Sequence, residues 1–141
     1  ALGATAVIHS PDTEPVAALL ALTKGEGVQL VIEAVGTPET FALCQAVVGI
    51  GGHIANVGVH GKPVALRLDT LWSQDVTVTT RLVDGHTTTR LLDLLQAGRL
   101  APERLISHHL PLTDLPRAYE LFGHAAAERV VKVVLQSTPG V

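Results

Sequence analysis

The sequence predicts an α/β fold in which helices pack on a parallel sheet. Two observations carry that expectation. Short β-branched apolar runs at 28–35, 53–57 and 130–135 alternate with stretches of helical spacing, and Gly or Pro punctuates almost every change. Aromatic residues make up only 3% of the 141, so the core must be built from Val, Leu, Ile and Ala. Runs without a polar alternate suit strands buried on two faces, which is the habit of parallel sheets. An apolar share of 47% is enough for one ordinary domain to bury a core.

Taken in order, Ala6, Val7 and Ile8 read as a short strand ended by Ser10, Pro11 and Asp12. Val16, Leu19, Leu20 and Thr23 then recur at helical spacing until Gly25 and Gly27 stop the pattern. Residues 28–35 are too apolar for a half-exposed strand and too short for a helix between glycines, which places them in the middle of a sheet. Thr37, Pro38 and Glu39 open a helix. The hydroxyl accepts an orphan N–H, the ring loses no bond at the first position, and the acid faces the positive end of the dipole. Phe41, Cys44, Gln45 and Val48 share one face of it, and Gly49 supplies a left-handed stop. Gly49, Gly51 and Gly52 precede the strand 53–57. A dinucleotide phosphate loop follows a strand and opens a helix, so these glycines read as turn residues.

A helical turn is expected near 69–72, followed by clean period-two alternation over 76–80. That alternation marks an edge strand, whose unpaired N–H and C=O groups a second subunit can use, so a homo-oligomer through 76–80 is expected. Thr87, Thr88 and Thr89 offer caps to a helix with Leu91, Leu92, Leu94 and Leu95 on its apolar face and Gly98 at its end. A one-turn piece starts at Pro102 and 107–111 is extended. Thr113 then caps a helix lined by Leu115, Ala118, Tyr119 and Phe122, which tolerates Pro116 in its first turn and ends at Gly123. Residues 130–135 close the fold as a buried strand, and those after Gln136 are a tail.

The composition narrows the function. Acids outnumber Lys and Arg 13 to 10, and no apolar run reaches the roughly 18 residues of a membrane span, so neither nucleic acid nor membrane is an expected partner. A single cysteine, Cys44, excludes an intramolecular disulfide and a thiolate zinc cluster. It sits on an apolar helix face with no neighbouring charge, so it is read as a packing residue. The first residues carry neither a start methionine nor a basic leader, which suggests a cytoplasmic fragment. Seven histidines are present, yet none has the spacing of a ligand set, and His108 and His109 point to opposite sides of an extended segment. No catalytic residue and no metal ligand is therefore assigned. The informative positions are two strand ends, Glu33-Ala34-Val35-Gly36 and Asn56-Val57-Gly58-Val59, because ligands of doubly wound sheets lie over the carboxyl ends of strands. Small residues there let a flat ring approach the backbone, or simply punctuate the chain.

Five blocks in a fixed order go further. They are residues 2–8, the run from Gly27 to Gly36, the run from Gly51 to Val59, residues 105–112, and the Tyr119 helix followed by the Lys132 strand. In this order the chain resembles the C-terminal half of zinc-type alcohol dehydrogenases of the medium-chain dehydrogenase/reductase family. The resemblance implies a partial Rossmann-like, doubly wound parallel sheet that lacks its first strands. It also implies that residues 1–141 are the C-terminal part of a nucleotide-binding domain, with a return to the catalytic domain over about 107–141. By the same resemblance Ala34, Val35 and Gly36 border the adenosine side of NAD or NADP, and Val57, Gly58 and Val59 hold the nicotinamide. Leu82 and Val83 offer backbone groups to the carboxamide, with Arg81 standing where the family has a small residue, and Lys132 lies near the pyrophosphate. A cation in an apolar strand needs an anion or a path to solvent, which agrees with that last role. The zinc ligands, the glycine-rich phosphate loop and the proton relay of the family would lie upstream of Ala1. The parent would pass hydride between an alcohol or aldehyde and the dinucleotide, and the isolated chain would be inactive. The alternatives are a zinc-free quinone or enoyl reductase of the same family, and a non-catalytic nucleotide-binding or interaction module.

Overall fold

Three parallel strands organise the first half of the computed structural model, which describes residues 3–10, 12–82 and 85–137. They are β1 (Val28–Glu33), β2 (Val48–Asn56) and β3 (Thr77–Thr80), in the order β1-β2-β3. Around them run α1 (Pro15–Leu22), α2 (Pro38–Val47) and the single turn α3 (Leu68–Leu71). The second half holds α4 (Thr88–Gln96), a 3-10 turn at Pro102–Leu105, β4 (His108–Pro111), a second 3-10 turn at Leu112–Asp114, α5 (Leu115–Gly123) and β5 (Val133–Gln136). Here β4 and β5 pair in parallel. The chain divides into two compact units, Ala1–Asp84 and Gly85–Val141. No helix among the described residues is long and apolar enough to cross a membrane.

The core of the first unit lies between α2 and one face of its sheet. Phe41 and Cys44 of α2 meet Val48 and Ile54 of β2 and Leu71 of α3, with Val31, Val64, Val76 and Val78 packed around them. The register explains which residues take part. Val31 and Glu33 stand beside Ile54 and Asn56, and these stand beside Val78 and Thr80, so one face of the sheet is the alternate set of each strand. The other face carries Leu30 and Ile32, both exposed, with His53, Ala55, Thr77 and Thr79. Gln45 is the polar member of the buried face. It donates to the Ala65 and Phe41 carbonyls and accepts the Arg67 N–H at 2.8 Å, which staples the 61–67 loop onto α2.

Helix α2 forms as its first residues dictate. Thr37 and Thr40 make a reciprocal capping box, Pro38 occupies the first turn, and Glu39 faces the dipole. Its end differs from expectation, since the cap is Val48 in extended conformation and not a left-handed Gly49. The chain passes straight from helix into strand, and Gly49 and Gly52 lie inside β2 because backbone atoms of Glu26, Gly27 and Val28 crowd them. Gly51 marks a register shift, where Leu30 pairs with His53 after Val28 pairs with Val48. The glycine cluster is thus an irregular stretch of strand and not a preceding turn.

Four further expectations are corrected. Ala6, Val7 and Ile8 form no strand, and Val7 is 88% exposed; among the described residues no strand pairs with them. The run 28–35 sits at one side of the three-stranded sheet, and β2 takes the middle. Thr113 lies within the 3-10 turn, so Asp114 occupies the cap position of α5 without a side-chain bond, and Thr87 likewise caps α4 without one. The last strand begins at Val133. Ser107 Oγ takes the N–H groups of Val131 and Lys132, and the Lys132 carbonyl accepts the Ser107 and His108 N–H groups, so Ser107 anchors this end just before the ladder begins. The predicted face of α5 does form, and Leu115, Ala118, Tyr119 and Phe122 line an apolar groove with Val133 and Leu135.

Candidate functional site

The carboxyl ends of β1 and β2 lie side by side, and the turns that leave them are bound to each other. The Glu33 carbonyl accepts the N–H groups of Val57 and Gly58 at 2.8 and 3.0 Å. Glu33 as a whole is 1% exposed, and its Oε1 accepts from the Val35 and Gly36 N–H groups and from the Thr40 hydroxyl at 3.0, 2.9 and 2.7 Å. Burial pushes its pKa up, but the bonds from Gly36, Thr40 and Val35 and the nearby His60 outweigh it, so the carboxyl titrates below its ordinary range. Burial raises the Cys44 thiol, helped by the Glu33 charge, which makes that cysteine inert as a nucleophile.

Gly36 and Gly58 owe their identity to this junction. A Cβ on Gly58 would clash with Glu33 Oε2 and meet the Gly36 nitrogen at 2.5 Å. One on Gly36, whose φ is +88°, would overlap the Val59 carbonyl. Each glycine is demanded by the opposite turn, before any ligand is considered.

A pocket of about 280 Å³ opens at the ends of β2 and β3, lined by Asn56, Val57, Gly58, Val59, Thr80, Arg81 and Leu82. It brings together four sequence-predicted site residues, Val57, Gly58, Val59 and Leu82. Ala34, Val35 and Gly36 form the neighbouring turn at the end of β1, in contact through Gly36 and Val59. Val83 lies outside the described residues. Lys132 belongs to the second unit, where it is exposed and precedes β5, and it stands in no apolar strand. The pocket rim is unspent apolar surface, with Val59 77% and Leu82 75% exposed. Its volume is at the low end of ligand pockets, which start near ~300 Å³, so it suits one ring and not a whole dinucleotide. Among the described residues no three His, Cys, Asp or Glu side chains converge as a metal site.

Comparison with known proteins fits this geometry. Residues 1–97 match the family pattern described as zinc-binding dehydrogenase. The chain belongs to that family. Its relatives include an alcohol dehydrogenase of Cupriavidus necator, 29% identical over 139 residues, which covers 96% of this chain and 38% of the relative. The solved zinc dependent alcohol dehydrogenase 2 from Streptococcus pneumonia, in apo form, superposes with a TM-score of 0.88 at 41% identity, covering 99% of this chain and 40% of that one. A chain from Sinorhizobium meliloti 1021 bound to NADP does so at 0.81 and 26% identity, over 94% and 39% respectively. The chain therefore spans about two-fifths of the length of the relatives it matches. The fold is the α/β, Rossmann-like one with parallel sheets expected of the family.

Residue-by-residue reading placed Glu33 and Asn56 at the two informative strand ends but gave them no role, and it gave none to Thr40 or His60, although these four groups hold the site together. The available signal was Glu33 itself, the one acid within the apolar run 28–35. A buried charge must be paired or multiply bonded, which is the argument applied to Lys132.

Proposed function

We propose that the protein carrying this chain is an oxidoreductase that passes hydride between an alcohol or aldehyde and NAD or NADP. These 141 residues supply part of its dinucleotide site. The observation that carries the reading is the pocket at the carboxyl ends of two adjacent parallel strands, the place where open α/β sheets bind nucleotides. Family membership and the NADP-bound Sinorhizobium relative support it.

The residues present fit a dinucleotide in part. Val57, Val59 and Leu82 offer an exposed apolar wall for a flat ring, and the Val57 and Gly58 N–H groups are already bonded to Glu33, so the turn presents a preset shape. Val57, Gly58 and Val59 would orient the nicotinamide, with Leu82 and Val83 offering backbone groups to its carboxamide. Ala34, Val35 and Gly36 would border the adenosine side, and Lys132 would reach the pyrophosphate. The dinucleotide, when bound, accepts or gives the hydride. This chain's part is to hold the ring in reach and to keep one face of it against an apolar wall. Zinc finds no donor set among the described residues, so no role toward it is assigned to them. We further read residues 107–141 as the return to the catalytic domain, the exposed edge of β3 as the seam of a homo-oligomer, and the cytoplasm as the location.

The test is direct. The full-length protein is incubated with an alcohol panel and NAD or NADP while reduced cofactor is followed, and the 141 residues alone are assayed beside it. The reading expects turnover by the former and none by the latter. A full-length protein that neither binds nor reduces either dinucleotide would overturn it.

A further inference from the structure

We infer that Glu33 and His60 are positioning residues for the dinucleotide: together with Asn56 they form a buried clasp that fixes the 57–59 turn. This rests on the functional reading above. The clasp runs in one direction. His60 Nε2 lies 2.8 Å from Asn56 Oδ1, and the other end of that amide donates to the Gly58 carbonyl at 3.1 Å. The Asn56 orientation is thereby fixed, its oxygen can only accept, and His60 must carry its proton on Nε2. The same Nε2 lies 3.4 Å from Glu33 Oε2, a buried oxygen with no hydrogen-bond partner that packs against Gly58. His60 is held in place by the Phe41 ring, edge to face at 5.8 Å and 82°. Its Nδ1 is buried without a partner, so the ring's only polar work is done through Nε2.

The turn is gripped from both sides. The Glu33 carbonyl holds the N–H groups of Val57 and Gly58, while Asn56, set by His60, holds the Gly58 carbonyl. A buried carboxylate is a poor way to gain stability, since apolar residues of the same volume serve as well or better. What it does supply is a single geometry for the two turns that border the ligand, because Oε1 sets 34–36 while the main-chain carbonyl of the same residue holds the Val57 and Gly58 N–H groups.

The experiment uses the full-length protein and two variants. In His60→Gln the amide nitrogen falls where Nε2 stood and can still donate to Asn56. In His60→Asn it falls near the old Nδ1 and cannot. Affinity for NAD and NADP is read by calorimetry, and exchange of the Val57 and Gly58 amides is read in the ligand-free protein. His60→Gln should bind within about twofold of wild type. His60→Asn should bind about tenfold more weakly, the value of one hydrogen bond, with faster exchange at both amides. A merely structural role would lower stability without separating Gln from Asn in affinity, so affinity and amide exchange, and not melting temperature, decide the matter. Equal binding by both variants, or unchanged exchange in His60→Asn, would overturn the inference. Failure of the functional reading shows up separately, as wild-type protein that binds neither dinucleotide, and the positioning role would fall with it.

Discussion

Replacing Gly58 by Ala separates two reasons for a glycine at a strand end. If the residue is small only so that a ligand can approach, the substitution costs affinity and not stability. Gly→Ala at an unstrained site even stabilises by about 0.4–1 kcal/mol, because the unfolded chain loses freedom. The structure predicts the opposite sign. The new methyl would clash with Glu33 Oε2 and lie 2.5 and 2.9 Å from the Gly36 nitrogen and Cα, and the latter two are backbone atoms that cannot swing away. Overpacking of this kind costs about 1–3 kcal/mol. For a unit of this size each kcal/mol moves the melting temperature by about 4–8 °C, so Gly58→Ala should melt about 5–20 °C lower without any ligand. Gly61 is the control. It has nothing within 4 Å of a Cβ and no positive φ, and Gly61→Ala should melt at the wild-type temperature or about 2–8 °C higher. Thermal unfolding followed by circular dichroism reads both. Equal melting of Gly58→Ala and wild type would show that the two turns do not approach as described.

Glu33 has a lowered pKa in the folded state, so its stabilisation is full above its ordinary value of 4.5 and is lost as pH falls through the lower folded value. Wild type should therefore lose stability more steeply below pH 4.5 than Glu33→Gln does, and parallel melting curves from pH 7 to 3 would count against the buried, multiply bonded carboxylate. Gln45→Met should cost about 1–3 kcal/mol in urea unfolding, since the Arg67 N–H and Ala65 carbonyl lose their partner; no change would refute the staple. Lys132→Glu in the full-length protein should weaken dinucleotide binding and leave melting unchanged, because the side chain is exposed. Unchanged affinity would make it a surface lysine.

How much of this was legible in the sequence depends on where the deciding atoms lie. The start of α2 was readable because Thr37, Pro38 and Glu39 act within one turn. The alternation over 76–80 was readable for the same local reason, and β3 is an edge as expected. What failed needed distant partners. Ala6, Val7 and Ile8 have strand composition but, among the described residues, no strand to pair with, and Gly49 and Gly52 sit in β2 against atoms more than twenty residues earlier. At the site the strand-end residues around Gly58 were found from composition and order, whereas the clasp beneath them was not. Nothing local ties Glu33 to His60, 27 positions apart, until the parallel register sets β1 against β2.

The central claim, that this chain carries part of a dinucleotide site at the ends of β2 and β3, is tested most directly by amide chemical shifts of the isotopically labelled full-length protein titrated with NADP and, separately, with NAD. The account predicts saturable shifts concentrated at Val57, Gly58, Val59 and Leu82, with a second group at Val35 and Gly36, for at least one of the two. Saturable binding whose shifts leave those residues untouched, or no binding of either dinucleotide, would contradict it.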